Sequence, residues 1–194
     1  RDEYPDGTFY QIPRPAHRLD DHGIRNLKQC YTHFLFNRGH ILDLCAGRTN
    51  CLPPDLEASI QRNEPSAIGI GLDEVEMDGN PDLNGCRLEH DLKMTLQFPL
   101  AFPIERLEDY ITTIIASQAE LICLYNAAIC VLSIDYLTRP REVLYHMRLQ
   151  MEYGGMMHIV VTDRSSNAKV ISRWVESSYI ERLRSVSDYL HFSG

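Results

Sequence analysis

Four short apolar runs, each closed by a turn or a polar residue and separated by stretches of helical spacing, constrain this chain more than any other feature. Residues 40–45 read His-Ile-Leu-Asp-Leu-Cys and stop at Ala46-Gly47; residues 67–72 stop at Asp73; residues 127–132 and 156–162 repeat the pattern. None alternates cleanly between apolar and polar positions, so each predicts a strand buried on both faces. Residues 86–89 supply a shorter strand between the second and third of these runs. The intervening segments predict helices. Ile24, Leu27, Cys30, Tyr31, Phe34 and Leu35 recur at helical spacing behind the N-cap residues Asp20 and Asp21, with an end expected near 37–39. Further helices are expected over 52–61, over 139–151 behind Pro140 and up to a break at residues 152–155, and over 167–190 as one helix or two. Strands alternating with helices predict an α/β fold, an open and mostly parallel sheet with helices on both faces. Ligands of such a sheet sit outside the carboxyl ends of its strands.

The 194 residues, 44% of them apolar, suffice for a single domain over 1–194, with residues 1–19 as an irregular N-terminal arm. A formal net charge of −8 argues against nucleic acid or anionic lipid as a partner, because both require clustered cations. Arg14, Arg18, Arg25, Lys28 and Arg38 share one stretch and are read as solvated charges. The six cysteines show neither CxxC nor Cys/His spacing, so they are read as reduced thiols and no metal site is expected. No window approaches the ~20 apolar residues of a membrane span, and the N-terminus lacks a signal-peptide pattern. Together these point to an intracellular protein of the cytoplasm or the mitochondrion.

The first run and its turn, Ile41-Leu-Asp-Leu-Cys-Ala-Gly47, place an acidic residue inside the strand and a glycine where the chain leaves it. A turn without a bulky side chain lets backbone approach a ligand, and it equally permits nothing more than a tight turn. Asp73 closes the second run, where its carboxylate can accept hydrogen bonds from ribose hydroxyls or cap the helix that contains Glu76 and Met77. Glu89-His90-Asp91-Leu92 follows the third strand.

In this order the strand-end residues resemble the class I S-adenosylmethionine-dependent methyltransferases, whose fold is Rossmann-like. The resemblance is closest to a methyltransferase type 11-like branch with a degenerate glycine loop. Its carriers are Phe9-Tyr10 with Pro13-Arg14, Asp20-Asp21, Ile41-Leu-Asp-Leu44, the stretch from Gly69 to Asn80-Pro81, Gln97-Phe98-Pro99, Tyr136-Leu-Thr-Arg-Pro140 and Gly154-Gly155. The resemblance implies S-adenosylmethionine as cofactor, with Asp43, Leu44, Gly47, Asp73, Asp91 and Leu92 around it. Gly47 would lie under the methionine part, Asp73 at the ribose and Asp91 at the exocyclic amine of adenine. Arg48 and Asn50 stand where the family's later glycines are expected. The chain also departs from the pattern in a helical insertion over 101–124, whose apolar face (Ile104, Leu107, Tyr110, Ile111, Ile114, Ile115) suits packing on its own domain or on a protein partner. After Leu190 the family's terminal β-hairpin has no counterpart, which leaves an open sheet edge as a second expected partner surface.

Methyl transfer requires alignment and, for weakly acidic acceptors, a base. His17, Asp135 and Tyr136 are the candidates, with ordinary readings beside them: an exposed loop residue, a helix cap and a packed aromatic. No catalytic residue is assigned. His33, His40, His90, His146 and His158 suit structural roles, and Trp174 with Val170, Ile171 and Val175 suits the core face of a helix. GxSxG, Walker A and HExxH motifs are absent. A dehydrogenase is the nearest rival enzyme, since Asp73 would equally hold an NAD ribose, but GxGxxG is missing. The expected function is therefore methyl transfer to an unidentified small-molecule or protein substrate. The alternative is a catalytically inactive subunit of this fold with a structural role in a larger intracellular complex.

Overall fold

The computed structural model describes residues 19–49, 51–84, 87–94, 125–162 and 170–193. Their elements are α1 (Asp21–Phe34), β1 (Gly39–Leu44), α2 (Pro54–Gln61), β2 (Pro65–Gly71), α3 (Glu74–Asp78), β3 (Arg87–Glu89), β4 (Tyr125–Val131), a 3-10 turn (Ile134–Tyr136), α4 (Pro140–Arg148), β5 (Met151–Val160), α5 (Ser172–Glu176) and α6 (Tyr179–His191). The five strands form one all-parallel sheet in the order β3-β2-β1-β4-β5. The arm up to Arg18, His17 within it, and the 101–124 insertion lie outside the described residues.

Side-chain alternation along each strand builds two cores, one on each face of the sheet. Leu42 and Leu44 of β1, Ile68 and Ile70 of β2, and Ala128 and Cys130 of β4 meet Val143, Leu144 and Met147 of α4, Trp174 of α5 and Val186 of α6. On the other face Ile41, Ala67, Ala127 and Ile129 meet Tyr31 of α1, Leu56 and Ile60 of α2, and Met77 of α3. The apolar runs lack alternation for this reason: both faces are covered.

Local chemistry sets the ends of the helices. Asp20 Oδ1 accepts the Gly23 N–H at 2.8 Å and starts α1. The helix stops at Phe34, short of the expected 37–39, because Leu35 turns to extended backbone (φ −94°, ψ 137°). Pro54 occupies the first turn of α2, where its missing N–H costs nothing. Ser178 and Glu181 form a reciprocal capping box at the head of α6. The helix after Pro140 closes at Arg148, since Gln150 already accepts the Tyr125 N–H at 3.0 Å on the approach to β5.

The Glu152-Tyr-Gly-Gly155 stretch, expected to break the chain before a strand, lies inside β5 instead. Tyr125 pairs with Met151 and Ala127 with Met156, so four residues bulge out of the ladder between these pairs. Gly154 supplies a φ of +80° there, and Tyr153 is fully exposed. At the head of β1, Gly39 adopts φ +78°. A Cβ there would fall 1.5 Å from Asn126 Oδ1, the atom that accepts the His40 N–H at 2.8 Å.

Candidate functional site

Because the strands are all parallel, their carboxyl ends share one edge of the sheet. The chain runs outward through β1, β2 and β3, then returns to the other side of β1 as β4. The reversal in strand order therefore falls between β1 and β4, where open α/β sheets hold their ligands.

The turn after β1 is held from several directions. The Ala46 N–H donates to Ile70 O at 2.7 Å. A Cβ on Gly71 would come within 2.4 Å of the Ala46 carbonyl oxygen, so glycine at the end of β2 allows this close approach. Asn80 Nδ2 donates to Gly47 O at 2.9 Å and to Thr49 O at 3.4 Å, and Asp82 Oδ2 accepts the Leu52 N–H at 3.1 Å. At Gly47 itself, among the described residues, a Cβ would meet only the Glu76 carboxylate, at 3.7 Å, which is ordinary contact and leaves the turn's backbone approachable from them. The left-handed position of the turn is Cys45 (φ +63°), a residue that the glycine pattern did not single out. Arg48 lies over Gly79, past the C-terminal end of α3 and at the opposite end of that helix from Asp73.

Asp73 caps α3: its Oδ1 accepts the Val75 N–H at 2.9 Å and the Glu76 N–H at 3.3 Å. This bears out the capping role, which uses Oδ1. Asp91 lies two residues past Glu89, which pairs with Gly71, so Asp91 and Asp73 follow neighbouring strand ends. Its Oδ1 accepts the Lys93 N–H at 2.8 Å. Gly47, Asp73 and Asp91 thus follow the carboxyl ends of β1, β2 and β3 in spatial order. The other three residues differ in setting. Leu44 and Leu92 are buried in the core beneath this edge. Asp43 pairs in register with Gly69, on the face covered by α1 and α2.

Asp43 keeps a little solvent-accessible surface, yet burial raises its carboxyl to about 8, with the Asp82 carboxylate adding to the shift. Asp82 is raised to about 7, chiefly by burial, against the opposing Leu52 N–H. Burial also raises the Tyr31 hydroxyl strongly and carries the Cys51 thiol to about 12. Tyr31 Oη and Asp82 Oδ1 have no hydrogen-bond partner among the described residues. The Asn80 and Asp82 contacts escape sequence reasoning because Leu52 and Asp82 are 30 positions apart; the Asn80-Pro81 dipeptide was the one signal available.

An open cleft of about 520 Å³ lies at the carboxyl ends of β4 and β5, lined among the described residues by Leu19, Leu132, Val161, Thr162 and Tyr179. Leu132, just past β4, is left-handed (φ +51°), and its N–H donates to Val160 O at 2.9 Å. Of the base candidates, Tyr136 packs against the core, which agrees with the packed-aromatic reading. Asp135 does not cap the next helix. It is buried inside the 3-10 turn, its carbonyl accepts the Ile171 N–H at 3.1 Å, and Arg139 occupies the cap of α4.

No family model and no curated protein sequence matches this chain. Solved structures do. The 4+2 cyclase SpnF superposes with a TM-score of 0.52 at 14% identity, over 89% of this chain and 57% of its own. A proposed methyltransferase of Bacillus halodurans gives 0.47 at 12%, over 87% and 65%. A methyltransferase of Geobacter sulfurreducens in complex with S-adenosyl-L-homocysteine gives 0.42 at 14%, over 78% and 54%. The chain thus spans less than two thirds of the length of each. Its all-parallel five-stranded sheet flanked by helices is a Rossmann-like α/β fold, shared with SpnF. A cyclase among these neighbours means that the fold alone does not fix the reaction. Among the described residues no helix is long and apolar enough to cross a membrane.

Proposed function

We propose that this chain, a single domain over 1–194, is an S-adenosylmethionine-dependent methyltransferase acting on a small-molecule or protein substrate. The observation that carries the proposal is the ordered row of Gly47, Asp73 and Asp91 past the carboxyl ends of β1, β2 and β3, beside an approachable turn. When bound, the cofactor supplies an electrophilic methyl group on a sulfonium. The backbone at Gly47 receives its methionine part, Asp73 Oδ2 accepts from the ribose hydroxyls, and Asp91 accepts from the exocyclic amine. Leu44 and Leu92 support the floor from the core, and Asp43 acts from beneath the turn. Arg48, drawn aside over Gly79, keeps its cation off the sulfonium. The Glu76 carboxylate beside Gly47 has the sign that favours one.

The test is calorimetric titration with S-adenosylhomocysteine of the wild type, Asp73→Asn and Asp73→Ala. Asparagine retains the helix cap while removing the carboxylate. Micromolar binding weakened at least tenfold in both variants is the expected result. Wild-type strength in Asp73→Asn would reduce Asp73 to a cap, and no binding by folded wild type would remove the cofactor from the reading.

The second reading, a catalytically inactive structural subunit, is favoured by one observation. β5 pairs only with β4 among the described strands, and α6 exposes Ile180, Leu183 and Leu190. A strand edge left unpaired among the described residues, and apolar side chains exposed on a helix, are each what a partner covers. Co-purification of a stoichiometric partner together with absent cofactor binding would favour it.

A further inference from the structure

We infer that Cys45 and Cys130 form a redox-sensitive dithiol, which a hydroperoxide closes into a disulfide joining the turn after β1 to β4. The bond is independent of the methyltransferase reading; its effect on cofactor binding rests on that reading.

Strand geometry brings the two sulfurs together. β1 and β4 are parallel neighbours with Asp43 opposite Ile129, so Cys130 comes opposite Leu44 and Cys45 follows one residue further on. Neighbouring strands about 4.8 Å apart, with a rise of about 3.3 Å per residue, set the two Cα atoms roughly 6 Å apart, inside the roughly 4.4–6.8 Å that a disulfide spans. Facing decides the rest. Alternation from Leu44 would send the Cys45 side chain to the face of Ile41 and Asp43. Cys45 instead packs against the core that contains Leu44 and Cys130, and its backbone is left-handed, with φ +63°. Glycine adopts that conformation freely, and an L-residue persists there only where its surroundings hold it. The two thiols are hydrogen-bonded to each other. The other described cysteines lie elsewhere: Cys51 is buried in the opposite core and Cys30 is exposed on α1.

The partners differ in access and in acidity. Cys45 is half-buried, whereas Cys130 is fully buried. The hydrogen bond with Cys45, together with burial, holds the Cys130 proton on and raises that thiol well above its ordinary range. Cys45 is therefore the sulfur that meets the oxidant. Its thiolate attacks one peroxide oxygen, the O–O bond breaks, and a sulfenic acid and hydroxide result. The Cys130 sulfur then attacks the Cys45 sulfur; the S–O bond breaks, and the departing hydroxide leaves as water with the Cys130 proton. Two thiols lose two electrons and two protons, and the peroxide becomes two waters. A covalent S–S bond of about 2.05 Å is much shorter than a hydrogen-bonded sulfur contact, so the sulfurs must close up. Cys130 is fixed inside the sheet, so the turn gives way, and the backbone it offers a cofactor changes.

The test treats the reduced full chain with stoichiometric hydrogen peroxide and maps its peptides by mass spectrometry without reduction. A Cys45–Cys130 link, reversed by dithiothreitol and formed at the same rate in Cys30→Ser, is the expected result. In Cys130→Ala the reaction should stop at a Cys45 sulfenic acid that dimedone captures; in Cys45→Ala, Cys130 should stay reduced. No link, a link through another cysteine in its place, or undiminished oxidation of Cys130 in Cys45→Ala would overturn the inference. The wild-type map decides the pairing even where an alanine variant fails to fold. On the methyltransferase reading the linked protein binds S-adenosylhomocysteine at least tenfold more weakly than the reduced one and recovers with dithiothreitol; equal affinity would overturn the coupling to the turn. If the link forms and the reduced protein binds no S-adenosylhomocysteine, the dithiol stands and the methyltransferase reading falls.

Discussion

Replacing Asp43 by asparagine should stabilise this protein, and increasingly so as the pH rises. The carboxyl lies under the turn that follows β1, where burial and Asp82 move it from its ordinary value of 3.8 to about 8. Between those limits the folded chain holds a proton there that the unfolded chain has released. Stability is therefore fully present below the unfolded value and is lost as the pH climbs through the folded one, at about 1.4 kcal/mol per pH unit. Over the four or so units involved, the loss approaches about 6 kcal/mol at its upper limit. That is a large share of the 5–15 kcal/mol that holds a typical domain together, to order of magnitude about. Asparagine has the shape of the protonated acid and does not titrate. Urea denaturation of both proteins at pH 5, 6, 7, 8 and 9 gives the difference directly. It should be small at pH 5, rise at about 1.4 kcal/mol per unit, and level off above pH 8. A flat difference, or one that grows toward acid, would refute the buried-carboxyl account. Asp82, raised to about 7, adds the same sign of slope to both proteins and should cancel.

Two further substitutions probe the turn and a helix remote from it. Gly71→Ala drives a methyl group to 2.4 Å from Ala46 O; a loss of about 1–3 kcal/mol and at least tenfold weaker S-adenosylhomocysteine binding are expected, read by thermal melts and calorimetry. Ser178→Ala removes the reciprocal cap of α6 and should cost about 1 kcal/mol, a fall of roughly 2–4 °C in Tm, with cofactor binding unchanged.

The sheet was legible because β1, β2 and β4 are buried on both faces, and a run such as Ala127 to Cys130 has few other uses. The helix start behind Asp20 was legible from local chemistry, since a cap acts within one turn, whereas the start expected at Leu52 falls at Pro54. What escaped depended on distance or on rare backbone. Asn80 and Asp82 are ordinary polar residues until the fold brings them under Gly47 and Leu52. The β5 bulge read as a break because Gly154-Gly155 signals a turn equally well inside a strand or outside one. Asp43 was legible as part of a motif, but its position beneath the turn required the register with Gly69.

Cys45 shows what that turn requires: a backbone shape, for which glycine is the least strained supplier and not the obligatory one. An L-residue held there carries about 1–2 kcal/mol of steric tension, restrained by the hydrogen bond to Ile70 and by the grip of Asn80. The same residue gives the central strand something that glycine never could, a half-buried sulfur beside the Cys130 thiol at the mouth of the crevice. The turn carries its own reporter atom, and whatever settles on its backbone will be written in how slowly that one thiol can be alkylated.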